Sequence, residues 1–141
     1  MSLRALRGAI TVDVDTREQV MLRTSELLEE LFERNGLKND DVVSVFFTAT
    51  PDIMSAPPAA AARAFGLVDV PLLCAQEMAV VGSLEHRVRL MLHIETDHSR
   101  DELQHVFLRG ARSLRPDLVS EDAASPSDDS SRNKPGREAQ S

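Results

Sequence analysis

Between Arg87 and Glu95 the chain alternates without interruption, with Val88, Leu90, Leu92 and Ile94 on one side and Arg87, Arg89, Met91, His93 and Glu95 on the other. A period of two sends successive side chains to opposite faces of a strand, so the segment predicts a β-strand with one core face and one mainly polar face. Such a strand requires neighbours for its backbone groups and a second layer over its apolar side. Three other segments supply the neighbours. Leu3 to Val12 sets Leu3, Ala5, Arg7, Ala9 and Thr11 against Arg4, Leu6, Gly8, Ile10 and Val12. Val42 to Thr50 is apolar and β-branched enough for a buried strand, ended by Pro51, and Val70 to Met78 reads as a shorter one.

Helices supply the covering layer. Thr16 and Gln19 have capping-box spacing, and Val20, Met21, Leu27, Leu28, Leu31 and Phe32 follow as one stripe until Asn35-Gly36 offers a left-handed stop. Pro57 and Pro58 open a short helix through Ala59 to Phe65, stopped by Gly66. Ser99 and Glu102 form a second capping pair, which predicts a last helix burying Leu103, Val106, Phe107 and Gly110 before Pro116. The expected order is β-α-β-α-β-β-α, an α/β (α+β) domain with a mixed β-sheet packed with helices.

A chain of 141 residues with 42% hydrophobic content is sized for one domain. Ser120 to Ser141 contains no Leu, Ile, Phe or Met, too little apolar surface to offset the entropy of ordering it. The expectation is therefore a folded domain over 1–118 and a disordered tail over 119–141. A net charge of -7 argues against nucleic acid or an anionic membrane as the main partner. The first residues alternate apolar with arginine instead of forming a signal-peptide core, Cys74 has no partner for a disulfide, and no run approaches a membrane span. These features predict a cytoplasmic protein.

The chain has no GxxxxGKS/T loop, GxGxxG turn, GxSxG elbow or paired CxxC. His86, His93, His98 and His105 lack a recurrent ligand spacing, so a metal is not expected. What remains is arginine on strands, at Arg7 and Arg89, and the stretch Cys74-Ala75-Gln76-Glu77. Strand arginines are commonly solvated or ion-paired, yet a rigid strand also aims a planar, permanent cation at a carboxylate or an ether oxygen. Cys74 reads equally as a small buried hydrophobe, and Glu77 as an ordinary carboxylate. Spacing leaves these alternatives open.

Several motifs taken together decide between them. Arg4-Ala5-Leu6-Arg7-Gly8-Ala9 with Thr11-Val12 and Asp15-Thr16, Ala49-Thr50-Pro51-Asp52, Val70-Pro71 with Cys74 and Gln76-Glu77-Met78, Arg87-Val88-Arg89, and Leu114-Arg115-Pro116-Asp117-Leu118 occur in this order. From about Leu3 to Leu118 the chain resembles the Bacillus-type monofunctional chorismate mutases, the trimeric α/β class. The resemblance implies an isomerase of the shikimate pathway that rearranges chorismate to prephenate on the way to phenylalanine and tyrosine. It implies a homotrimer forming a pseudo-α/β-barrel, with sites between subunits and no cofactor.

The resemblance also implies roles for individual residues. Arg89 is the cation at the ether oxygen, Arg7 grips a substrate carboxylate, and Glu77 holds the ring hydroxyl with Cys74 as a second contact. Arg63 and Arg115 draw in or enclose the dianion. Phe107 falls where the family commonly has tyrosine, and Ala60 and Pro57 where it often has lysine and phenylalanine, so these contacts are expected to be weaker. Two other readings are a trimeric small-carboxylate-binding protein that does not turn its ligand over and an imine deaminase of comparable fold. Glu77 and Cys74 argue against the first, because a plain carboxylate site has no use for a hydroxyl-directed acceptor.

Overall fold

The computed structural model describes residues 1–113. Its elements are β1 (Ser2–Thr11), α1 (Arg17–Asn35), β2 (Val42–Ala49), α2 (Pro58–Phe65), β3 (Leu72–Gln76), β4 (Arg87–Thr96) and β5 (Val106–Phe107). Single 3-10 turns lie at Asn39–Asp41, Arg100–Glu102 and Arg109–Ser113. The strands form one mixed sheet in the order β3-β2-β4-β1-β5. β4 runs antiparallel to both β1 and β2, while β3 and β5 add parallel strands at the two edges.

The alternation in the sequence becomes the two faces of this sheet. Val88, Leu90, Leu92 and Ile94 are buried with Leu6, Ile10, Val45 and Phe47, and Leu27, Leu28 and Leu31 of α1 pack on them. α1 comes close because Gly8 lacks a side chain: a Cβ there would stand 3.0 Å from Leu31 Cδ1 and 3.3 Å from Leu27 Cδ1. The helix ends form as expected. The Thr16 hydroxyl accepts from the Gln19 N–H at 3.1 Å, and Gly36 stops the helix with a φ of 63°.

The opposite face carries Ala5, Arg7 and Ala9 of β1, Phe46 and Thr48 of β2, and Arg89, Met91 and His93 of β4; neither α1 nor α2 covers it, and only at its β5 end does Ala111 of the last 3-10 turn pack on Ala9. Phe46 and Leu73 remain about half exposed there. Rows run straight across the strands. Phe107, Ala9, Arg89, Thr48 and Ala75 make one row through all five, and Arg7, Met91, Phe46 and Leu73 make the next.

The mixed α/β architecture stands, but the expected last helix does not form. Ser99 and Glu102 do pair, the Ser99 N–H donating to Glu102 Oε1 at 2.8 Å, and they cap only one 3-10 turn. Beyond it the chain is extended, because Val106 and Phe107 bond to the free edge of β1 opposite Gly8 and Ala9. Asn35 enforces this by pairing with the Gln104 backbone, accepting its N–H at 2.7 Å and donating to its carbonyl at 2.9 Å. Leu103, Val106 and Phe107 are buried as expected, whereas Gly110 is exposed. The third strand is also shorter than its expected 70–78 span. Motif residues 114–118 and the expected tail lie outside the described residues.

Candidate active site

The open face of the sheet holds a hollow of about 480 Å³ lined by Arg7, Phe46, Thr48, Ala75, Arg89, Leu90 and Met91. Its two cations come from neighbouring antiparallel strands and lie diagonally, since Arg7 pairs with Met91 and Arg89 with Ala9. The hollow is otherwise largely apolar.

Arg89 is held from behind. Its Nε donates to Glu77 Oε2 at 2.8 Å, and no other bond ties its guanidinium to the described residues. The Thr48 hydroxyl donates to the same oxygen at 2.6 Å, while Arg87 donates to Oε1 through Nε at 3.0 Å and through a terminal nitrogen at 2.5 Å. Glu77 is 6% exposed and Arg87 is 7% exposed, so the carboxylate is dry with all its lone pairs engaged. Burial alone would raise the Glu77 pKa, but the donors Arg89, Thr48 and Arg87 together hold it below the ordinary glutamate value. Glu77 is therefore ionised, and the cluster of two guanidiniums and one carboxylate is net positive.

The backbone fixes this cluster. Glu77 follows the end of β3 and its N–H still bonds to the Ala49 carbonyl at 2.9 Å. The Arg87 N–H donates to the Thr50 hydroxyl at 2.9 Å, and that hydroxyl donates to Asp52, whose carboxylate accepts the His86 N–H. At the other end of the hollow, the Arg7 N–H donates to His105 Nδ1 at 2.9 Å, which ties β1 to the segment before β5.

The remaining candidates divide between the two faces. Cys74 turns to the helical side, packs against the core and lines a second hollow with Thr50, Ile53, Ser55 and Pro57. Burial pushes its thiol pKa up, despite a hydrogen bond from the Ala59 backbone and the charge of Arg63, so it is a neutral contact and not a thiolate nucleophile. Ala75 lines both hollows. Arg63 is exposed in the last turn of α2, near Cys74, and does not line the hollow of Arg7 and Arg89. Ala60 is partly buried on the same helix.

Phe107 is 3% exposed between Ala9 and Ala111, a wall at the end of the row that contains Arg89. Arg115 lies outside the described residues. Thr48 and Arg87 were not singled out from the sequence as site residues. The alternation puts Arg87 on the same face as Arg89, but only the strand order reveals that Glu77 lies between them.

Among the described residues no three His, Cys, Asp or Glu side chains stand together as a metal site. His93 bonds to Ser44, His98 pairs with Glu102, and His105 accepts from Arg7. No described helix is long and apolar enough to cross a membrane.

Residues 3–118 match the family model for chorismate mutase type I. The chain is 43% identical over 119 residues to chorismate mutase AroH of Bacillus subtilis (strain 168), covering 84% of this chain and 94% of that protein. It is 46% identical over 119 residues to chorismate mutase AroH of Thermus thermophilus, covering 84% and 98%. A solved chorismate mutase from Clostridium thermocellum superposes with a TM-score of 0.77 at 43% identity, over 79% of this chain and 99% of that one.

Proposed function

The chain belongs to the chorismate mutase type I family, and on that premise we propose how its residues convert chorismate to prephenate: Arg89 meets the ether oxygen, Arg7 holds a carboxylate, and Glu77 fixes Arg89 and receives the ring hydroxyl. The reaction is an intramolecular Claisen rearrangement. The ether C–O bond breaks as a C–C bond forms, and no atom enters or leaves.

As the C–O bond lengthens, negative charge grows on the oxygen, and a cation already in place stabilises that transition state more than the substrate. The observation that carries this reading is the Nε anchor of Arg89 on a buried, ionised carboxylate, which leaves the terminal nitrogens for the hollow that Arg89 lines. Arg7, on the adjacent strand, supplies a second fixed charge. A flexible dianion held by both is restricted towards the compact conformer in which the reacting carbons meet, which removes an entropic part of the barrier. The ring hydroxyl reaches Glu77 Oε2 by displacing the hydroxyl of Thr48, which lines the hollow. Phe107 walls the site, and Cys74 makes a neutral contact at the junction marked by Ala75.

The working unit in this reading is a homotrimer whose open sheet faces enclose a pseudo-barrel, with each site shared between subunits. Support comes from the exposed Phe46, Leu73 and Leu3 on a face that neither α1 nor α2 covers. It comes also from Arg63, which its own chain does not bring to Arg7 and Arg89 and which a neighbouring copy would supply. Arg115 adds a further charge for the dianion. The catalytic domain spans 1–118, the extent of the family match apart from its first two residues, and 119–141 is outside the chemical step, so truncation after Val119 should leave kcat within a few-fold.

The direct test is to mix purified protein with chorismate, without added cofactor or metal, and follow its absorbance and the appearance of prephenate. Stoichiometric conversion is expected. Saturable binding with no loss of chorismate would leave a carboxylate-binding protein instead.

A further inference from the structure

We propose that Arg87 is a positioning residue for the rearrangement: by occupying Glu77 Oε1 with two N–H groups, it makes Glu77 hold Arg89 through Nε and keeps the terminal nitrogens of Arg89 available to the substrate. This inference rests on the catalytic reading of Arg89 given above.

An arginine beside a carboxylate prefers to engage both oxygens with two parallel N–H bonds. Were Oε1 open, Arg89 could pair with Glu77 in that way and commit a terminal nitrogen to it. The geometry prevents this. Arg87 donates to Oε1 through both Nε and a terminal nitrogen, so Arg89 is left with Oε2, which it shares with the Thr48 hydroxyl. Arg87 is itself closely held. Its side chain is 8% exposed, against 25% for Arg89, and its backbone is locked to Thr50 in both directions.

Arg87 also changes the charge at the site. Glu77 with Arg89 alone would be a neutral pair, a poor partner for an oxygen gaining negative charge. The second guanidinium leaves the cluster with one net positive charge, and Arg89 is the member on the hollow. Arg87 does not line that hollow, so its effect on the substrate passes through Glu77 and Arg89.

The test is a double-mutant cycle between Arg87→Met and Glu77→Gln, with kcat and KM measured for chorismate on variants shown to keep the wild-type fold and assembly. Arg87→Met should lower kcat about 10- to 100-fold, the scale of a misplaced catalytic group, with KM changing less. Arg87→Lys keeps the charge but cannot donate twice in one plane, and should recover part of kcat. In the Glu77→Gln background the same Arg87→Met change should cost less than about threefold, since the residue through which it acts is already altered. Wild-type kcat in Arg87→Met, or an undiminished loss in the Glu77→Gln background, would overturn the proposal. Should Arg87→Met fail to fold, the comparison of Arg87→Lys in the two backgrounds decides in the same way. A wild-type chain inert towards chorismate would sink the catalytic reading as well, whereas an active one indifferent to Arg87 sinks this inference alone.

Discussion

Glu77 grips Arg89 by its Nε at 2.8 Å rather than by the fork of its terminal nitrogens. The grip sets the orientation of the guanidinium plane, and the strand sets its position. Arg89→Ala removes both the charge and the donors, and should lower kcat by at least the roughly 10² to 10³ lost with one preorganised oxyanion donor, with a smaller effect on KM. Arg89→Lys restores a charge but has no Nε for Glu77 to hold, so only part of the rate should return. Steady-state kinetics on the folded variants checks both, and an intact kcat with a raised KM would make Arg89 a binding residue only.

In the proposed mechanism Arg7 faces a carboxylate whose charge is the same at the start and in the transition state. Its contact is therefore mostly uniform binding. Arg7→Ala should raise KM about tenfold or more and reduce kcat less than Arg89→Ala does, measured in the same assay.

The cluster around Glu77 also predicts acid sensitivity. Glu77 titrates below its ordinary value of 4.5 in the folded chain, because donors from Arg89, Thr48 and Arg87 outweigh the effect of burial. A depressed folded pKa gives stability that is complete above the unfolded value and is lost as pH falls through the folded one. Thermal midpoints should therefore decline as pH drops below about 4.5 towards the depressed folded value. Glu77→Gln should flatten that part of the profile, whatever its midpoint at neutral pH.

The proposed sharing of sites between subunits predicts complementation. Arg63→Ala and Arg89→Ala are each expected to be impaired, but mixed trimers reassembled from equal amounts should regain activity in about a quarter of their sites, as random pairing requires. Activity no higher than the mean of the parents would place Arg63 and Arg89 in separate functions, and sedimentation equilibrium should show three copies.

Gly8 sets the distance between sheet and helix. Gly8→Val would drive a branched side chain into Leu27 and Leu31, both fully buried, and should destabilise the fold by about 1–3 kcal/mol or more. Denaturant unfolding measures this, and unchanged stability would mean that α1 moves away without loss.

The sequence made most of the fold legible where a local period carried it. The alternation of β4, the capping of α1 by Thr16 and its stop at Gly36 all depend on neighbours a few residues away. Residues 103–110 show where this ends. Leu103, Val106 and Phe107 suit the inner side of a helix as well as a strand, and the choice was made by the open edge of β1 and the Asn35 amide, both about 70 or more residues distant in the chain. The site divides in the same way. Motifs pick out Arg7, Glu77 and Arg89, but Thr48 and Arg87 gain their meaning from strand order, because neither a hydroxyl in a buried strand nor an arginine at a strand start signals which carboxylate will lie opposite.

β1 and β4 pair over ten consecutive residues, Ser2 with Thr96 through Thr11 with Arg87, and Arg7 and Arg89 belong to that ladder. A slip of one residue in either strand would turn its cation into the helical core, so the spacing of the two charges is as discrete as the register itself. The amides flanking both cations should be among the slowest in the chain to exchange with deuterated solvent. Catalytic geometry of this kind has no hinge of its own to wear or tune: it persists until the central ladder opens, and then it disappears in a single step.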